Sequence, residues 1–281
     1  MGAAEGDLIR ETGIRGNLAA EIVEAESNIE ESEEVLATFA AIGVQVLYPD
    51  SLETPVRLRE SPTAWHCLMV WGDSGTFDQV PLVGMVGRRR ATPHGLEVAH
   101  KLASELARRG IATLSGLAAG IDQASHLGSL SEGGKTIGLP AMGILRFMRE
   151  EKKLAPATES GLTVVSGAPP NQHWSVKEAM RRNRLIGTWC DSLVVVEAGE
   201  KGGTWKTASC AREAERPLWV GQGLSGEVAG VGNKSLARQL EAKTFDVNDP
   251  IEVVADRILE SVTETSGEKQ GVFQWEGIDR G

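Results

Sequence analysis

With 281 residues, 41% of them hydrophobic and 24% charged, the chain is long enough for one large α/β domain with a smaller appendage, and its composition is that of a globular protein. No apolar run approaches the roughly 18–20 residues that span a bilayer, the first residues lack the basic-then-apolar order of a secretory signal, and Cys67, Cys190 and Cys210 have neither disulfide-framework nor metal-ligand spacing. The net charge of −10 is concentrated in residues 1–50, where eleven acids face two bases, so the remainder is nearly neutral and a polyanionic partner is not excluded.

Residues 1–30 are acidic and poorly patterned, with a helix expected only around Ala19–Ala25. The spacing of Val35, Leu36, Phe39 and Ile42 predicts an amphipathic helix over Ser32–Ile42, closed by Gly43, and Val44–Leu47 reads as a short strand. A connecting segment over residues 50–80 holds one further strand, Cys67–Trp71. From about Pro81 the pattern becomes regular. Strand Leu82–Val86 leads to a helix over Pro93–Arg109, with Leu96, Ala99, Leu102, Ala103 and Leu106 on one face. Strand Ile111–Leu114 and a helix over Ile121–Glu132 follow, then strands Thr136–Leu139, Leu162–Val165 and Leu193–Val196. A helix over Trp205–Glu215, strand Pro217–Val220, a glycine-rich loop and a helix over Lys234–Glu241 complete the unit. Asp249-Pro250 reads as an N-cap with proline in the first turn of a helix ending near Val262, followed by a polar tail with Val272, Phe273 and Trp275 as isolated apolar residues. Short apolar strands alternating with amphipathic helices imply an α/β fold, a Rossmann-like, doubly wound, mostly parallel sheet with a small N-terminal extension. The expected division is an acidic helical and connecting region over 1–80, a Rossmann-like domain over 81–245, and a C-terminal helix and tail over 246–281.

Ligands of such sheets bind beyond the carboxyl ends of the strands, where four turns are expected. In Gly87-Arg88-Arg89-Arg90, glycine permits close backbone approach, a helix N-terminus follows, and three planar guanidinium forks suit phosphate. The second, Ser115-Gly116 to Ile121-Asp122, is built of small residues; Asp122 is expected to cap a helix and His126 to pack within it. The third, Arg181-Arg182-Asn183-Arg184, offers phosphate pairing together with hydrogen bonding to bases or sugars. The fourth, Glu197 to Thr204 with Gly202, Gly203 and Thr204, runs into a helix carrying Lys206 and Thr207 and resembles a phosphate cradle without Walker spacing. Together they suggest an extended polyanion site. Trp174 and Trp205 are the aromatic candidates for base stacking, with core packing the expected role of each.

The order of these motifs from about Tyr48 to Leu240 resembles the DprA/Smf DNA-processing family. Val86-Gly87-Arg88-Arg89 is similar to its Val-Gly-Ser-Arg turn, with Arg88 in place of serine. Ser115 to Asp122 with Ser125-His126, Arg182-Asn183-Arg184-Leu185-Ile186, and Val195-Val196-Glu197-Ala198 with Gly202-Gly203-Thr204 and Thr207-Ala208 resemble its other signatures. Tyr48-Pro49 and Gly232-Asn233 match shorter ones. The resemblance implies single-stranded DNA binding in a basic pocket, homodimerisation, and transfer of DNA to the RecA recombinase. It implies that Arg89, Arg182, Asn183 and Arg184 contact DNA while Ser115, Gly116 and Lys206 shape the pocket; Arg88 and Arg90 are added on charge and placement. The chain departs from the family pattern at Pro140–Phe147, Ser166-Gly167-Ala168-Pro169 and Gln222-Gly223, and a C-terminal winged-helix module is not expected in the remaining residues. A cytoplasmic protein without catalytic residues, metal or cofactor is expected. Two other readings stay open: a DNA-binding antitoxin or phage-defence component with a protein partner, and a nucleotide hydrolase using Glu197.

Overall fold

Segments whose side chains are buried on both faces of a sheet must be apolar throughout, and the apolar runs of this sequence are buried in that manner. The computed structural model describes Arg10, residues 29–224 and residues 227–268. The helix expected around Ala19–Ala25 and the last part of the tail lie outside the described residues. The chain divides into two compact units, Met1–Val46 and Leu47–Gly281. The first holds helix α1 (Ile29–Ala41) and most of strand β1 (Val44–Leu47).

In the second unit come α2 (Val56–Arg59), β2 (Leu68–Trp71), α3 (Thr76–Gln79), β3 (Leu82–Val86), α4 (Pro93–Arg108), β4 (Ala112–Ser115), α5 (Ile121–Ser131), β5 (Thr136–Gly138) and α6 (Ile144–Glu150). Then follow α7 (Ala155–Glu159), β6 (Leu162–Ser166), α8 (Val176–Trp189), β7 (Ser192–Val195), α9 (Gly203–Glu213), β8 (Leu218–Gln222), α10 (Glu227–Gln239), β9 (Lys243–Asp246) and α11 (Ile251–Glu268). Their strands run in the order β2-β6-β5-β4-β3-β7-β8-β9. Neighbours are parallel except β2, which pairs antiparallel with β6 through Val70 and Val165. β3 lies between β4 and β7, and the chain winds outward from it in both directions. This is the expected doubly wound α/β architecture, with its switch point between β3 and β7.

Alternate residues of the central strands feed two cores. Leu82, Val86, Leu193 and Val195 meet Leu185, Ile186, Trp189 and Ala208 of α8 and α9 on one face. Val83, Met85 and Val194 meet Val98, Leu102 and Leu106 of α4 and Val254 and Ile258 of α11 on the other. The termini of the site-bearing helices are set by their caps: Thr92 Oγ1 accepts from Gly95 N ahead of α4, with Pro93 in the first turn, and Ser175 Oγ accepts from Glu178 N ahead of α8.

Three features differ from the sequence reading. Arg181–Arg184 is not a turn but the middle of α8, whose Arg182, Asn183, Leu185, Ile186 and Trp189 lie on its buried side. α10 starts before Lys234, in what reads as a glycine-rich loop; a Cβ on Gly232 would lie 2.2 Å from the Ala198 carbonyl oxygen, so this glycine serves close packing. Strand β9 was not expected because, as an edge strand, it buries Phe245 alone of its four residues.

Candidate nucleic-acid interface

The turns after β3, β4 and β7 meet the start of α8 around a cleft of ≈ 550 Å³ above the switch point. The β3 turn is held from below by Glu197, which is wholly buried. Its Oε1 is 3.1 Å from Arg88 Nη1, its Oε2 accepts from Thr92 N (2.9 Å) and Thr92 Oγ1 (2.8 Å), and its carbonyl accepts from Arg88 N (2.8 Å). Gly87 is required here, because a Cβ would lie 2.4 Å from Ile121 Cγ1. Arg88 is therefore committed to Glu197, whereas Arg89 and Arg90 are exposed and have no carboxylate partner among the described residues. The Arg89 guanidinium carbon lies 5.5 Å from the centre of the Trp174 ring.

The β4 turn locks into the β3 turn. Gly120, at φ +86°, would bring a Cβ within 2.2 Å of Arg88 O, and Ile121 N donates to that oxygen at 3.3 Å. Ser115 is buried and donates to Met85 O. Asp122 is buried as well; burial pushes its carboxyl above the ordinary carboxylate range, against the pull of Arg182 and the N–H groups of Ala118 and Gly116. Arg182 reaches it from α8, Nη1 to Oδ2 at 3.6 Å, while its Nε has no hydrogen-bond partner among the described residues. Burial lowers the guanidinium pKa, Asp122 opposes this and Arg89 adds to it, yet an arginine stays charged at neutral pH. The cleft floor thus carries a buried cation that its carboxylate neighbour meets only loosely.

His126 lies behind this floor as a packing residue. Thr136 Oγ1 donates to Thr113 O (3.0 Å) and so accepts from His126 Nδ1–H (2.7 Å). Burial, then the charge of Arg182, lowers the imidazole pKa to about 3, so the ring is neutral.

From α8 and the segment before it, Trp174, Val176 and Met180 line the cleft with 47%, 67% and 40% of their surfaces exposed. Asn183 Nδ2 donates to Gly203 O at 3.3 Å, tying α8 to the start of α9. After β7, Lys201, Gly203 and Thr204 complete the lining; Thr204 Oγ1 donates to Gly87 O at 3.1 Å. Asn233 holds this turn through Ala198 N (2.6 Å) and Val196 O (2.8 Å).

Of the residues singled out from sequence, Gly87, Arg88, Arg89, Arg90, Arg182, Asn183, Gly203 and Thr204 line one cleft. Ser115 and Gly116 lie beneath it, and Gly202, at φ +121°, is exposed beside it. Arg184 and Lys206 are outside it, where both charges act on the Cys210 thiol. Trp205 packs against the core with Nε1 donating to Gly199 O, as expected, but Trp174 does not. Lys201 lies in the fourth turn without being singled out there, and Val176 and Met180 carried no motif; only the i, i+4 pair after a Ser-x-x-Glu cap hinted at those two. Among the described residues no helix is long and apolar enough to cross a membrane, and no cluster of His, Cys, Asp and Glu is arranged to hold a metal ion.

Fold and cleft together define a doubly wound α/β protein with a cationic crevice at its switch point. Residues 45–255 match the model of DNA recombination-mediator protein A, and the chain belongs to that family. It is 29% identical over 224 residues to the DNA processing protein DprA of Bacillus subtilis, covering 79% of this chain and 75% of that one. It is 29% identical to a putative DprA of Mycobacterium tuberculosis over 85% of this chain, spanning 65% of that protein. Among solved structures, DprA of Streptococcus pneumoniae aligns with a TM-score of 0.71 at 25% identity, over 86% of this chain and 83% of that one. DNA processing protein A of Helicobacter pylori shares the fold at a TM-score of 0.63 and 23% identity, over 77% and 96% of the two chains.

Proposed function

We propose that this chain binds single-stranded DNA in the cleft and acts as a non-catalytic recombination mediator. The observation that carries the reading is the set of exposed cations Arg89, Arg90 and Lys201, without carboxylate partners among the described residues, around a floor that contains buried Arg182. The Helicobacter pylori relative, known for a single-stranded DNA binding mode, supports it. Local field outweighs total charge here, since the excess of acids over bases is concentrated in residues 1–50. Within this proposal residues 81–245 carry the DNA contacts, and homodimerisation and transfer of the strand to a RecA-type recombinase are further parts of the same proposal. A toxin or defence partner has no observation in its favour. The hydrolase reading is disfavoured because both carboxylate oxygens of Glu197 are engaged inside the fold.

Titration of a labelled single-stranded oligonucleotide at several salt concentrations tests the proposal. Affinity should fall with a log–log slope of about −0.7 per phosphate contact, and Arg89→Ala with Arg90→Ala should flatten that slope. Salt-independent binding, or an unchanged slope in the double variant, refutes the site.

A further inference from the structure

The two sides of the cleft differ in chemistry. One side is cationic, from the β3 turn and Lys201; the other is apolar, from Trp174, Val176 and Met180. Large apolar side chains grouped in the open mark a surface that meets a ligand. Val176 and Met180 are one helical turn apart and so share a face of α8, and Trp174 precedes the cap of that helix. The Arg89 guanidinium lies over the Trp174 ring, yet nearly half of that side chain stays open to solvent.

We infer that Trp174, supported by Val176 and Met180, is a nucleobase platform and that it makes the cleft selective for unpaired strands. The inference rests on the reading of the cleft as a polynucleotide site. A ligand fitting both sides must present anionic charge along one edge and flat apolar surface along the other. A phosphodiester chain with free bases does so: the phosphates meet Arg89, Arg90 and Lys201 while a base stacks on the indole. In a duplex the base faces are already stacked and paired, so the apolar side gains nothing and only the charge term remains. Stacking accepts any base, so the platform confers strand-type selectivity with little sequence preference. Arg89 belongs to both sides, placing a cation beside the stacked base.

The test compares a thymidine oligonucleotide with an abasic oligonucleotide of the same length and backbone charge, using wild type, Trp174→Ala and Trp174→Phe. Wild type should prefer the thymidine strand by about 5- to 150-fold, the range for one stacked base. Trp174→Ala should lose that preference while keeping its abasic affinity and its salt slope, and Trp174→Phe should retain most of the preference. If Trp174→Ala keeps wild-type affinity for both strands, or weakens both equally, the platform is refuted while the cleft stands. If wild type binds neither strand in a salt-dependent way, the polynucleotide reading itself fails.

Discussion

The Arg182 guanidinium rests against the backbone of Gly116, where a Cβ would come within 1.3 Å of Nη1. The glycine, which lines no part of the cleft, is the seat of the buried charge that does. Gly116→Ala should therefore force Arg182 out of place and separate it from Asp122. We expect a loss of about 1–3 kcal/mol in urea unfolding, the usual cost of overpacking a tight site. Weaker binding of single-stranded DNA should accompany it.

Arg88 and Arg89 are adjacent in sequence and opposite in role. Arg88 pairs with buried Glu197, whereas Arg89 is exposed over Trp174. Arg89→Ala should lower the salt slope by about 0.7 and leave the melting temperature nearly unchanged. Arg88→Ala should act chiefly on stability, by stranding a buried carboxylate. Arg184→Ala and Lys206→Ala, outside the cleft, should leave the affinity for a short oligonucleotide close to wild type. Equal effects of Arg88→Ala and Arg89→Ala on slope and melting would contradict this division.

Glu197→Gln tests the clamp beneath the β3 turn. A carboxylate there accepts from Thr92 N, Thr92 Oγ1 and Arg88; an amide forfeits the ion pair and one acceptor. A cost of about 1–3 kcal/mol is expected from denaturant unfolding. DNA affinity should fall with it, because the clamp sets the geometry of Arg89 and Arg90.

His126 makes stability depend on pH. Its pKa falls from 6.5 to about 3 on folding, so between those values the unfolded chain holds a proton there and the folded chain does not. The group is without effect above its unfolded pKa. Below it stability declines with falling pH, by up to about 1.4 kcal/mol per pH unit. Asp122, raised by burial, acts in the opposite sense, so the informative quantity is the difference between wild type and a His126 variant, which share Asp122. Unfolding midpoints of wild type and His126→Gln should converge as pH drops below 6.5; a constant gap would show that His126 is protonated in the fold.

The three cysteines should differ in reactivity. Burial pushes the Cys190 thiol up to about 12 and raises that of Cys210, whereas Cys67 is half-buried. Alkylation of the native protein at neutral pH, followed by mass spectrometry, should modify Cys67 first and reach Cys190 only after unfolding. Early modification of Cys190 would show that its core opens readily.

The central sheet was legible because β3 and β7 are buried on both faces and leave uninterrupted apolar runs, while caps such as Thr92-Pro93 mark where helices begin. The four-residue helices α2 and α3 were not, being too short to show a period, and neither was β9, which is polar on its open side. At the site, the arginine turn and the small-residue turn were readable from type and spacing. The fate of each arginine was not: whether a guanidinium points to Glu197, to Asp122 or to solvent depends on carboxylates distant in sequence. The sequence offers Trp174 as a stacking candidate but gives core packing as its expected role, as for most tryptophans; its exposure follows from standing just ahead of the Ser175 cap, off the buried side of α8.

The longer segments that match the family pattern follow β3, β4 and β7 or lie on α8, and those that depart from it follow β5, β6 and β8, toward the flanks of the sheet. The arginine turn is fastened to three central strands, so changing it means remaking the middle of the molecule. Residues 167–175, with Trp174, leave a flanking strand and are fastened to the start of α6 and to α8 nearby, where Gly143 N and Leu145 N donate to Gln172 O and Pro170 O and Arg181 Nη1 donates to Gly167 O. If the division of labour inferred for the cleft holds, a different connection joined to the same anchors should change which strands are preferred and spare the dependence on salt.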